Sequence, residues 1–139
     1  MNVLIVYDSV HGNTEKVAQA IGEAIGGQVL RVGDASPESL EGLDLLIVGS
    51  PTHGGFPTEE VHTLVKGSLA LEGVHVAAFD TRTRRSIFGY AAPKIARNLE
   101  RSGGTLLAQP EGFVVRGIKG PLRDGELERA ADWAKGIAR

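Results

Sequence analysis

The sequence predicts an α/β fold, an open five-stranded parallel sheet with helices on both faces. Two short continuous apolar runs, Val3-Leu4-Ile5-Val6 and Leu45-Leu46-Ile47-Val48, end in polar or glycine residues, the pattern of strands buried on both sides. Such runs alternate along the chain with segments of helical period, and right-handed crossovers turn that alternation into parallel neighbours. With 139 residues, 42% of them hydrophobic and 23% charged, the chain has the size and composition of a single domain, spanning residues 1–139.

Each element has its own warrant. After the first strand, Val17, Ile21, Ala24 and Ile25 recur at helical spacing, and Gly26-Gly27 stands where that helix would stop. Residues 28–32 read as a second strand. Ser36-Pro37-Glu38 then offers a cap, a proline at the first helical position and an acid in the first turn, although only a short helix fits before Gly42. The third strand ends near Gly49. Pro57-Thr58-Glu59-Glu60 opens another helix, with Val61, Leu64, Val65 and Leu69 on one face. Residues 73–79 read as the fourth strand, and a polar, arginine-rich loop follows over 80–86. Ala92, Ile95, Ala96 and Leu99 mark the next helix before Gly103-Gly104. Residues 105–108 and 113–115 form a fifth strand interrupted at Pro110, since proline has no ladder donor. The last helix, 124–138, sets Leu127, Ala130, Ala131, Ala134 and Ile137 on one stripe.

Composition excludes several functions. The absence of cysteine removes disulfides, thiolate metal sites and cysteine nucleophiles. The net charge of −2 gives no electrostatic footprint for nucleic acid, and no apolar run approaches the roughly 20 residues that span a bilayer. The first residues carry no basic region ahead of their apolar run, so a cytoplasmic protein is expected. His11, His53, His62 and His75 show no metal spacing, and no nucleophile elbow is present. No catalytic side chain and no metal site are therefore expected. Charge is uneven: residues 1–70 hold 3 Lys+Arg against 9 Asp+Glu, residues 71–139 hold 12 against 8.

In open parallel sheets, ligands bind beyond the carboxyl ends of the strands, where strand order reverses. Ser9-Val10-His11-Gly12-Asn13-Thr14 occupies such a place, between the first strand and the first helix. Its hydroxyls, amide, glycine and free helix N–H groups suit an anion such as phosphate, without a lysine. It is neither G-x-G-x-x-G nor G-x-x-x-x-G-K-[ST], which argues against dinucleotide and P-loop nucleotide binding. On spacing alone, the competing reading is a strand-to-helix turn with good capping residues.

Ser9-x-His11-Gly12-Asn13-Thr14 resembles the phosphate loop of flavodoxins, Thr/Ser-x-Thr/Ser-Gly-x-Thr. Gly49-Ser50-Pro51-Thr52-His53-Gly54-Gly55 is similar to that family's second flavin loop, and the fourth strand delivers the third. Size and element order agree over essentially the whole chain. The resemblance implies sheet order 2-1-3-4-5, and noncovalent FMN with its phosphate on Ser9, Val10, His11, Gly12, Asn13 and Thr14. It places the flavin ring between a second loop of Pro51, Thr52, His53, Gly54 and Gly55 and a third loop contributing Thr81, Arg82 and Tyr90. His53 or Phe56 would supply the second-loop face. Tyr90 is either the opposing ring or the first buried residue of its helix, and the single tryptophan, Trp133, is core packing. His11, where the family has a hydroxyl, would add attraction to phosphate when protonated. Arg82, or a neighbour among Arg84 and Arg85, would make the flavin easier to reduce.

The function implied is electron transfer between two redox partner proteins, a reductase and an acceptor, by a monomer or weak dimer that binds neither nucleic acid nor membrane. Two alternatives remain: an FMN-dependent NAD(P)H or quinone reductase, and an interaction module that has lost FMN.

Overall fold

Strand β1 (Val3–Tyr7) buries all five of its residues, as a strand must when both sheet faces are covered. In the computed structural model, which describes residues 1–67, 69–84 and 87–138, β1 lies between β2 (Gln28–Arg31) and β3 (Leu45–Pro51). Strand β4 (His75–Thr83) pairs with β3. The fifth position is divided: β5 (Thr105–Leu106) pairs with the start of β4 and β6 (Glu111–Val115) with its end. All pairings between these strands are parallel and the order is 2-1-3-4-5, so the topology reverses between β1 and β3.

Alternate strand residues feed two separate cores. Ile5, Ile47 and Phe79 pack with Val17, Ala18 and Ile21 of α1 (Asn13–Ile25) and with Ala130 and Ala134 of α4 (Glu126–Ala138). Leu4, Val6, Leu46 and Val48 pack with Val61 and Val65 of α2 (Glu59–Lys66) and with Ile95 and Leu99 of α3 (Ala91–Arg101). Trp133 is indeed a packing residue: it meets Phe79 and Phe113 edge to face, with ring centroids 6.3 and 6.1 Å away.

Several boundaries differ from the sequence-based expectation. The fourth strand does not stop at residue 79 but runs to Thr83, because β6 continues the ladder opposite residues 79–83. Asp80, Thr81, Arg82 and Thr83 are thus strand residues, whereas Arg85 and Ser86 of the expected loop lie outside the described residues. Helix α2 begins after Thr58, whose hydroxyl accepts from the Val61 N–H, and ends before Gly67, leaving Leu69 beyond the helix but still against the core. The segment at Ser36 forms only a 3₁₀ turn, Pro37–Leu40. Helix α4 buries Ala130, Ala134 and Ile137 of the expected stripe, and departs from it only near its start. Leu127 is exposed, and Glu126 is buried instead because its carboxylate accepts the Val114 N–H of β6.

Candidate functional site

Backbone geometry dictates how β1 passes into α1. Gly12 is the N-cap at φ 89°, a left-handed conformation that costs a side-chain-bearing residue about 1–2 kcal/mol. No side chain caps the helix. The N–H groups of Asn13, Thr14 and Glu15 have no partner among the described residues. Ser9 shapes the loop by accepting the Gly12 N–H at 3.0 Å on its Oγ, which leaves its own hydroxyl hydrogen free to donate. Thr14 and Thr81 share a buried hydroxyl bond of 2.7 Å, joining the loop to β4. Asp8, which precedes the loop, accepts from Arg31 and from the Ser9 N–H.

Strand β3 delivers a second loop. His53 and Phe56 exchange both backbone hydrogen bonds, at 2.8 and 3.0 Å, around Gly54 at φ 56° and Gly55 at φ 88°, a two-residue turn with both central residues left-handed. The first turn of α3 is satisfied from the second loop and from β4: Thr52 Oγ1 accepts the Ala91 N–H at 3.1 Å and the Asp80 carboxylate accepts the Ala92 N–H at 2.9 Å.

These loops enclose a cavity of about 470 Å³ at the carboxyl end of β1, β3 and β4. Eleven of the fourteen expected residues line it: Ser9, Val10, His11, Asn13 and Thr14; Pro51, Thr52, His53 and Gly54; and Thr81 and Arg82. Three do not. Gly12 is the cap of α1, Gly55 is buried against the Phe88 carbonyl, and Tyr90 caps α3 with its ring under the Arg82 guanidinium, 3.5 Å from the centroid. Arg82 itself is bidentate to Asp80 at 2.7 and 2.8 Å, so a carboxylate already offsets its charge. Phe56 is absent from the wall as well; its ring carries the Lys94 ammonium at 4.0 Å.

The wall residues that sequence reasoning missed are Thr83, Ile87, Phe88, Val115 and Ile118. Ile87 and Phe88 are the available signal, two large apolar side chains inside a polar loop, and they stand 89% and 67% exposed at the mouth. Ile118 had no such signal. It sits at the tip of a hairpin in which Val115 bridges Leu122, held to α1 by a bond from Asn13 Nδ2 to the Lys119 carbonyl.

The donor set fits a flavin phosphate. Among the described lining residues there is no carboxylate, while two histidines, an arginine, four hydroxyl residues beside Ser9 and Asn13, and the start of α1 all face one space. The remaining wall is apolar and flat enough, through Phe88, for a planar ring. No group of three or more His, Asp or Glu among the described residues could hold a metal ion, and no helix among them is long and apolar enough to cross a membrane.

Comparisons with known proteins agree with this geometry. Residues 4–109 match the family model of the flavodoxin domain. A flavodoxin from the domain Archaea superposes with a TM-score of 0.83 at 24% identity, over 99% of this chain and 96% of that one. Oxidised flavodoxin 1 from Bacillus cereus superposes at 0.85 with 19% identity, over 99% and 97%. An uncharacterized protein of Methanocaldococcus jannaschii is 36% identical over 56 residues, 40% of this chain and 37% of that relative's length.

Proposed function

The chain belongs to the flavodoxin family, and from that premise we propose that it binds FMN noncovalently and carries electrons between a reductase and an acceptor protein. FMN would supply the redox chemistry; the chain's own groups bind, orient and shield it. The N–H groups of Asn13, Thr14 and Glu15, with the Ser9 and Thr14 hydroxyls, would hold the phosphate. The ring would lie between His53 and Gly54 on one side and Phe88 on the other, with Val10, Ile87 and Ile118 excluding water around it.

One observation carries this reading: a helix start with three N–H groups that find no partner among the described residues opens into a cavity whose described wall contains no carboxylate. Charge-assisted hydrogen bonds contribute about 1.5–3 kcal/mol each, so two of them give FMN at least roughly 100-fold tighter binding than riboflavin, which lacks the phosphate. Titration of ligand-stripped protein with FMN and riboflavin tests it. Equal affinities, or no binding of either, would remove the proposal.

The exposed apolar mouth formed by Val10, Ile87, Phe88 and Ile118 also supports a second reading, a reductase that stacks a nicotinamide or quinone over the flavin. Rapid anaerobic bleaching by NAD(P)H alone would favour that enzyme over the carrier.

A further inference from the structure

Lys94 stands in the first turn of α3, the end of a helix where the macrodipole disfavours a cation. Its position is explained by what it touches. The ammonium donates to the Gly55 carbonyl and, at 3.4 Å, to the Phe88 carbonyl, and lies 4.0 Å from the centroid of the Phe56 ring. Gly55 belongs to the turn after β3 and Phe88 to the loop after β4, so one side chain ties together the two loops that bring Gly54 and Phe88 to the cavity. The loops meet closely there, since a Cβ on Gly55 would stand 2.2 Å from the Phe88 carbonyl oxygen.

Lys94 also differs in charge balance from Arg82, the arginine of the cavity wall. Arg82 is neutralised by Asp80, whereas Lys94 has no carboxylate partner among the described residues. We propose that Lys94 is the positioning residue of this site: it sets the separation of the two loops and, as an uncompensated positive charge beside them, makes a bound flavin easier to reduce. The inference rests on the FMN reading for its redox half and on the loop geometry alone for its positioning half.

The test uses the full chain and two variants, Lys94→Met, which keeps the stem and removes charge and donors, and Lys94→Arg. In ligand-free protein, amide exchange at residues 53–56 and 88–90 should accelerate at least tenfold in Lys94→Met, with residues 12–16 unchanged. FMN and riboflavin should both weaken by the same factor, about tenfold, because the phosphate end is untouched. The ratio of reduced to oxidised flavin affinity should fall about fivefold, roughly 40 mV for one electron. Lys94→Arg should restore the ratio and most of the protection. Unchanged exchange in Lys94→Met would overturn the positioning role, and an unchanged midpoint potential the electrostatic one. Weakening confined to FMN would overturn the assignment to the ring end. Wild-type protein that binds neither flavin would sink the FMN reading and the redox half together, while the exchange result still decides whether Lys94 ties the loops.

Discussion

Asp80→Asn perturbs the charged pair that lies under the cavity wall. The Asp80 side chain is fully buried, accepts Nε and Nη2 of Arg82 at 2.7 and 2.8 Å, and also accepts the Ala92 N–H at 2.9 Å. The Arg82 guanidinium is sandwiched between the Tyr90 ring and Gly112, where a Cβ would stand 2.0 Å from Nε, so it cannot easily swing away. Removing one partner of a buried pair costs about 3–5 kcal/mol. Asn retains an acceptor, and water reaches the 19%-exposed Arg82 side chain, which brings the expected loss to about 2–3 kcal/mol. For a chain of 139 residues, that is a fall in Tm of roughly 7–10 °C.

The same substitution uncovers a positive charge on the cavity wall. At ~8 Å and an effective dielectric of ~20 this favours an added electron by about 2 kcal/mol, reduced by screening to ~1 kcal/mol, or a rise of roughly 40 mV. Arg82→Met should destabilise without raising the potential, and the double variant should recover a potential near wild type. Thermal unfolding followed by far-UV dichroism, and redox titration with indicator dyes, provide the two measurements. A Tm within 2 °C of wild type, or a potential unchanged or lowered in Asp80→Asn, would refute the idea that this pair cancels the arginine's charge.

Other consequences follow from particular contacts. A hydrogen bond from Arg129, supported by the Val114 N–H and Arg123, holds the Glu126 carboxyl at about 2, against burial that pushes it up. Because this folded value lies below the unfolded value of 4.5, the stabilisation is complete above about pH 4.5 and is lost as pH falls toward 2. Discounted for the partly exposed arginines, it amounts to about 2 kcal/mol in urea unfolding at pH 7 relative to pH 2, a difference that Glu126→Gln should abolish. Gly54→Ala should cost only about 1 kcal/mol, since nothing stands near its Cβ position, whereas Gly55→Ala should cost more than about 2 kcal/mol through its approach to the Phe88 carbonyl; equal costs in chemical denaturation would contradict the packing. Gly120→Ala would press a Cβ to 2.7 Å from the Asn13 amide, so calorimetry should show weaker FMN binding with riboflavin binding little changed.

Much of the site was legible because its residues are local in sequence. Ser9 to Thr14 follow one strand end without interruption and Pro51 to Gly54 another, so strand periodicity placed both at the same edge of the sheet. The third wall was not legible in this way. Whether Asp80 to Thr83 form a loop or a strand depends on a partner, β6, about 30 residues away, and the choice between Tyr90 and Phe88 depends on where Arg82 finds its carboxylate. Ile118 reaches the cavity through a hairpin bond to Asn13, a contact of 106 residues' separation that no local pattern encodes.

By itself, the chain's order of apolar runs, glycines and capping residues pointed to a parallel sheet and to a helix start with free N–H groups after its first strand, because strand and helix periodicity, left-handed turns and helix ends are set by neighbours within a few positions. Only the folded arrangement decided which cation stays uncompensated. Arg82 and Lys94 are both basic residues near the same strand end, but one meets a buried carboxylate and the other meets two carbonyls and a ring. The strength of a charge depends on what surrounds it in space, and those surroundings come from separate segments of the chain.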